Sequence, residues 1–83
     1  MEILIHPDYW NDRNARTIRI PLPGDAGRPG EVERGLQVMR AIAALLIQPD
    51  DIVSVPRDPS MDDDIYIHRN VGRWECISVE FRE

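Results

Sequence analysis

The chain has 83 residues, 42% hydrophobic and 30% charged, the proportions of one small globular domain spanning 1–83, with a thin core and little room for a deep internal active site. No run approaches the ~18 apolar residues needed to cross a bilayer, the first residues lack the basic and apolar regions of a secretory signal, and the single cysteine, Cys76, excludes an internal disulfide and fits a reducing, cytoplasmic setting. The net charge is −5, which disfavours nucleic acid as a partner; all ten basic residues are arginine, which a GC-rich genome explains simply, the sharper alternative being selection for bidentate pairing to carboxylates.

In chain order, 2–6 (EILIH) is short and β-branched and predicts a strand. Residues 7–15 are turn-rich and carry Tyr9 and Trp10. At 16–22, Ile18, Ile20 and Leu22 recur at period two opposite Thr17 and Arg19, a half-buried strand whose pairing should stop at Pro21, which has no N–H to give. Residues 21–30 hold three prolines and three glycines and read as a loop.

The spacing predicts a helix over 30–48. Pro29 and Gly30 open it, Glu31 and Glu33 sit at the positive end of its dipole, and Gln48 before Pro49 should close it. Gly35 is unfavourable within a helix and implies close approach of another element. The polar positions Glu33, Arg34, Gln37, Arg40 and Gln48 fall, with Ala41 and Ala44, in one arc of roughly 120° at 3.6 residues per turn. The apolar remainder is about twice the ~100° stripe that one sheet covers. Val38, Ile42 and Leu45 on its flank therefore predict an interface with a second copy of the chain. The alternative is cover by the 7–15 or 21–30 loop, with Trp10 as the plug.

After the helix, 51–56 and 64–69 read as strands, 70–73 (NVGR) as a hairpin turn, and 74–82 as a final alternating strand. The expected fold is α+β, a two-layer ββαβββ unit with one helix on one face of an antiparallel sheet. Ile3, Ile5, Ile18, Ile20, Ile65, Ile67, Ile77, Val79 and Phe81 should meet the helix. Tyr66, His68, Trp74 and Cys76 should lie on the other face, open to water or to a partner.

The acids are concentrated. Residues 50–64 carry Asp50, Asp51, Asp58, Asp62, Asp63 and Asp64 against Arg57 alone, a formal −5 that equals the net charge of the chain. A metal reading of Asp62–Asp64 lacks the spaced acids, glycine and terminal glutamate of a calcium loop, and neighbouring strand residues point to opposite faces. His6 and His68, with Cys76 or Asp64, make a transition-metal alternative only if their strands are neighbours. A His68–Cys76 nucleophile pair lacks a visible cationic neighbour or helix N-terminus to lower the thiol pKa. The glycines before the helix make a poor phosphate loop, because the prolines carry no donors and Glu31 and Glu33 occupy the helix N-terminus. Arg13, Arg16 and Arg19, with Tyr9 and Trp10 for stacking, are the nucleic-acid alternative, diluted by Asp8 and Asp12.

The favoured expectation is therefore a non-enzymatic protein-binding module without cofactor or metal. It would dock on a basic or nucleic-acid-binding protein, as a small acidic inhibitor does, through Asp50, Asp51, Asp58, Asp62, Asp63 and Asp64. The plain alternative is that the acidic segment is a solvated turn that only keeps the domain soluble; a small metal-dependent or Cys/His enzyme and an RNA/DNA-binding accessory protein are the functional alternatives.

Overall fold

Ile3 and Ile5 alternate with Leu4 and His6, and the same period of two recurs in the later extended segments, so each has a face to bury. The structure, a computed structural model, describes residues 1–55 and 64–83. The strands are β1 (Glu2–His6), β2 (Ile18–Pro21), β3 (Ile52–Ser54), β4 (Ile65–Asn70) and β5 (Trp74–Arg82), with one helix, α1 (Glu31–Leu46), between β2 and β3. They form a single sheet in the order β2-β1-β5-β4-β3, with every neighbouring pair antiparallel. The fold is α+β with the element order ββαβββ, as the patterning predicts.

The register sets the two faces. Ile3 lies opposite Ile20 and Phe81, Ile5 opposite Ile18 and Val79, and Ile67 opposite Val53 and Ile77. This face meets α1, whose Met39 and Ala43 are buried against Ile3, Ile5, Ile65, Ile67, Val79 and Phe81. Pro21 closes the β1–β2 ladder opposite Glu2. The β4–β5 turn uses Gly72 at φ 87°, a left-handed conformation that suits glycine, and its N–H donates to Asn70 Oδ1 at 3.1 Å.

Gly35 has the role its position implies. A β-carbon there would stand 2.2 Å from Phe81 Cε2, so only the absence of a side chain lets α1 lie this close to β5. The helix ends at Leu46, two residues before the expected stop, and Ile47 is already extended. Arg69 of β4 donates to the Leu46 carbonyl at 2.9 Å, and the Gln48 N–H donates to Asp51 at 2.8 Å. These bonds satisfy end groups that a further turn would have used.

The second face of the sheet differs from expectation. Its middle is covered, because residues 7–17 fold across it as a strap, while Trp74 at its end stays 49% exposed. Leu4 is 1%, His6 2%, Cys76 2% and Ser78 0% exposed. Tyr9 meets Tyr66 edge-on at 5.3 Å, Trp10 lies 5.3 Å from the His68 ring, and the Tyr9 N–H donates to the Cys76 carbonyl at 3.1 Å. Trp10 is therefore no plug over the helix flank; it sits on the opposite side of the sheet. The physical reason is that β1, an interior strand next to the central β5, turns into the strap, where a polar row needs hydrogen-bond partners more than the apolar flank needs cover.

Candidate functional site

Of the acids expected to form one surface, Asp58, Asp62 and Asp63 lie outside the described residues. Asp50 is exposed and holds a left-handed backbone, φ 71°. Asp64 is half-buried and accepts a hydrogen bond from the Tyr66 hydroxyl at 3.2 Å. Asp51 points inward, with its side chain only 2% exposed. Arg69 grips it with two bonds, Nε to Oδ1 at 3.0 Å and Nη2 to Oδ2 at 2.8 Å. The hydrogen bond from Arg69 and then the Gln48 N–H hold its carboxyl below the usual aspartate range, and Arg69 keeps its own proton more tightly than usual. Asp51 thus fastens the end of α1 to β4, a role the charge run did not indicate. A cleft of about 170 Å³ opens beside this pair, lined also by Pro49, Asp50, Asn70 and Val71.

Outside the acidic segment the charges cancel locally. Arg13 meets Glu80, Arg16 Asp8, Arg19 Glu2, Arg34 Glu31, Arg73 Glu75 and Arg82 Glu80. With Arg69, seven of the nine described arginines sit within ion-pair distance of a carboxylate. The cluster of Arg13, Arg16 and Arg19 is among them, Arg16 and Arg19 each with its own acid and Arg13 sharing Glu80 with Arg82, and Arg13 also lies 5.6 Å over the Tyr9 ring. The neighbouring carboxylates offset the positive charge that would draw a phosphate.

The strap encloses a polar cluster that strand patterning did not reveal. Thr17, His6, Ser78 and Tyr66 lie side by side across four strands or their extensions. His6 Nδ1 stands 2.8 Å from the Arg13 carbonyl and 3.2 Å from the Thr17 hydroxyl, while Nε2 stands 3.0 Å from Glu80 Oε2. Both ring nitrogens are thus engaged, and the neighbouring Ser78 hydroxyl is buried without a hydrogen-bond partner. Burial would raise the Glu80 pKa, but hydrogen bonds from Arg82 and His6 and the charges of Arg82 and Arg13 outweigh it and hold the carboxyl below its ordinary range. Glu80 and Arg13 were missed because 67 residues separate them in sequence; the one available signal was a glutamate inside an alternating strand, with Arg82 two residues on as its same-face partner.

The catalytic and metal alternatives find little geometry. His68 and Cys76 do face each other across β4 and β5. However, the thiol is 2% exposed and burial pushes its pKa up, which is the wrong direction for a nucleophile. His68 Nε2 is occupied by the Ser54 hydroxyl at 3.2 Å. His6 and His68 lie on different, non-adjacent strands, and among the described residues no group of three or more His, Cys, Asp or Glu is placed to hold a metal ion. No described helix is long and apolar enough to cross a membrane.

The apolar flank of α1 divides. Val38 and Ile42 pack partly against the core, whereas Leu45 is 86% exposed. At the far edge of the sheet, Ile52 is 56%, Val53 37% and Val55 62% exposed. No protein-family model matches the sequence, and no similar protein is found among curated sequences or solved structures.

Proposed function

We propose that the chain is a non-enzymatic protein-binding module whose negative surface docks on a basic partner, in the manner of a small acidic inhibitor. The observation that carries this reading is the partition of charge. Arginines outside 50–64 are largely matched by nearby carboxylates, and the segment 50–64 holds the whole formal −5. A charge concentrated in this way speeds encounter with a basic partner and makes binding salt-sensitive. The docking acids are Asp50, Asp58, Asp62, Asp63 and Asp64, and Asp51 supports them by anchoring the segment through Arg69. Buried Cys76 and engaged His68 weigh against an enzyme, and the paired arginines weigh against a nucleic-acid binder. The free, buried thiol fits a cytoplasmic setting.

The test is capture of a partner by the wild-type chain beside a variant carrying Asp62→Asn, Asp63→Asn and Asp64→Asn, followed by reconstitution with the purified partner. A basic protein bound by wild type, released by raised salt and lost by the variant supports docking. Equal binding by both removes the acids from function.

Leu45 at 86% exposure favours a homodimer through α1 as a second reading. A solution mass near twice 9.6 kDa, reduced to the monomer value by Leu45→Glu, is the expected result; a monomer at micromolar concentration overturns it.

A further inference from the structure

We infer that the cleft beside Asp51 and Arg69 seats one basic side chain of the partner, its apolar stem along Val71 and Pro49 and its cationic head at Asp50. This rests on the acidic-docking reading above and names one contact through which the partner is held.

Charge decides the sign of the occupant. Arg69 and Asp51 grip each other, so their charges cancel. Asp50 is exposed, and no described residue pairs with its carboxylate. It is the one uncompensated charge among the residues that line the cleft. The cleft also lies at the C-terminal end of α1, where the helix dipole is negative and favours a cation. No basic residue stands in the last turn of α1. The Gln48 N–H is taken by Asp51 and Pro49 has none, so neither donates to the Ala44 and Leu45 carbonyls four residues back. Of the carbonyls at this end, Arg69 meets that of Leu46.

Shape decides the size of the occupant. A cleft of about 170 Å³ is well below the roughly 300–1,000 Å³ of pockets that enclose a whole small ligand, and it matches a single side chain. Pro49 and Val71 give it apolar walls, and Val71 is 57% exposed. Long basic side chains lay their methylenes on such surface and keep the charged head at the wet end. Asp50 stands at φ 71°. Asparagine tolerates that left-handed backbone as aspartate does, so Asp50→Asn removes the charge and leaves the turn in place.

The probe is n-butylguanidinium, titrated into isotope-labelled chain beside its neutral isostere n-butylurea. Saturable shifts of the Asp50, Asp51, Asn70 and Val71 amides are expected with the cation. Its affinity should exceed that of the urea, and should fall in Asp50→Asn, by about threefold, the size of an exposed ion pair. Val71→Ser should weaken n-butylguanidinium but not methylguanidinium, while the circular dichroism stays native. Equal binding of cation and urea, no saturable shift, or larger shifts with n-butyrate, which would make Arg69 the hook for an anion, each overturns the inference. Hexa-arginine separates it from the broader reading. If that peptide binds wild type and Asp50→Asn alike and is lost by the triple asparagine variant, acidic docking stands and the cleft falls. If n-butylguanidinium binds as expected but hexa-arginine binds no tighter at low salt, the cleft stands as a cation site and the docking surface falls.

Discussion

Replacing Gly35 with alanine sets two effects of known sign against each other. In an exposed helix the change is stabilising by ~1 kcal/mol, because glycine is the poorer helix former. Here the added methyl would stand 2.2 Å from Phe81 Cε2, 2.7 Å from Cζ and 3.0 Å from Cδ2. Carbon atoms pack at about 3.5–4.0 Å, so the nearest contact is short by over ~1 Å. Phe81 is 6% exposed and paired with fully buried Ile3, so its ring has little free space to enter. Forcing extra volume into a packed core costs about 1–3 kcal/mol, and this overlap belongs in the upper part of that range. The net expectation is a loss of ~1–2 kcal/mol, which lowers Tm by roughly 5–15 °C in a domain of this size. Thermal unfolding followed by circular dichroism measures it, with urea titration as a second readout. Gly35→Ala placed on Phe81→Leu should be neutral or stabilising relative to Phe81→Leu alone, because the obstructing ring is gone. A Gly35→Ala chain as stable as wild type, or a loss that persists beside Leu at 81, would refute the close packing of α1 on β5 as the reason for this glycine.

Acid should unfold the chain through specific carboxylates. Asp51 and Glu80 both have folded pKa values below their unfolded ones, near 3.8 and 4.5. Their stabilisation is therefore fully present above those unfolded values and is lost as pH falls through the lower folded ones; Asp51→Asn should flatten the fall of Tm between about pH 5 and 2, and an unchanged slope would remove Asp51 from it. Cys76, buried beneath the strap with its thiol pKa pushed up, should react with a disulfide reagent far more slowly in the native chain than in urea. Tyr9→Ala, which removes the contact with Tyr66, should speed that reaction well before global unfolding; equal rates in the two native proteins would show that the strap does not shield the thiol.

The parts of the fold legible in the sequence are those governed by local period. Ile65 and Ile67, or Ile77, Val79 and Phe81, declare one face by alternation, and the register then brings them together with Ile3 and Ile5 as expected. The helix is legible by its arc, and Gly35 by its conflict with helix propensity. The strap was not, because Pro7–Thr17 has no period at all; it is held by contacts such as His6 to Arg13 and Tyr9 to Tyr66 that depend on where other strands lie. For the candidate site, composition was enough to locate the excess charge. It could not separate Asp51 from its neighbour Asp50, since one is buried only because Arg69, 18 residues later, reaches it. The width of the apolar arc was legible too, but not that Val38 and Ile42 would find half-cover on the core while Leu45 would not.

The strand order carries a consequence for how the molecule assembles. The middle of the sheet is β1 paired to β5, with Glu2 opposite Arg82. The hairpin β4–β5 can form early and alone, and β1–β2 closes a loop of modest length. Joining them requires the two most distant strands to meet, the slowest kind of contact for a chain to find. Until they do, β1 is an edge and neither half shelters its share of the core, because Ile3 and Ile5 need Phe81 and Val79 beside them. The β1–β2 half is a two-stranded piece, barely stable in water, and the β5-β4-β3 half lacks Ile3 and Ile5 from its core, so no half-built form should accumulate. The chain is thus expected to fold and unfold in one cooperative step, timed by the meeting of β1 and β5, and a ribosome-bound chain lacking Trp74–Arg82 should show no protected sheet.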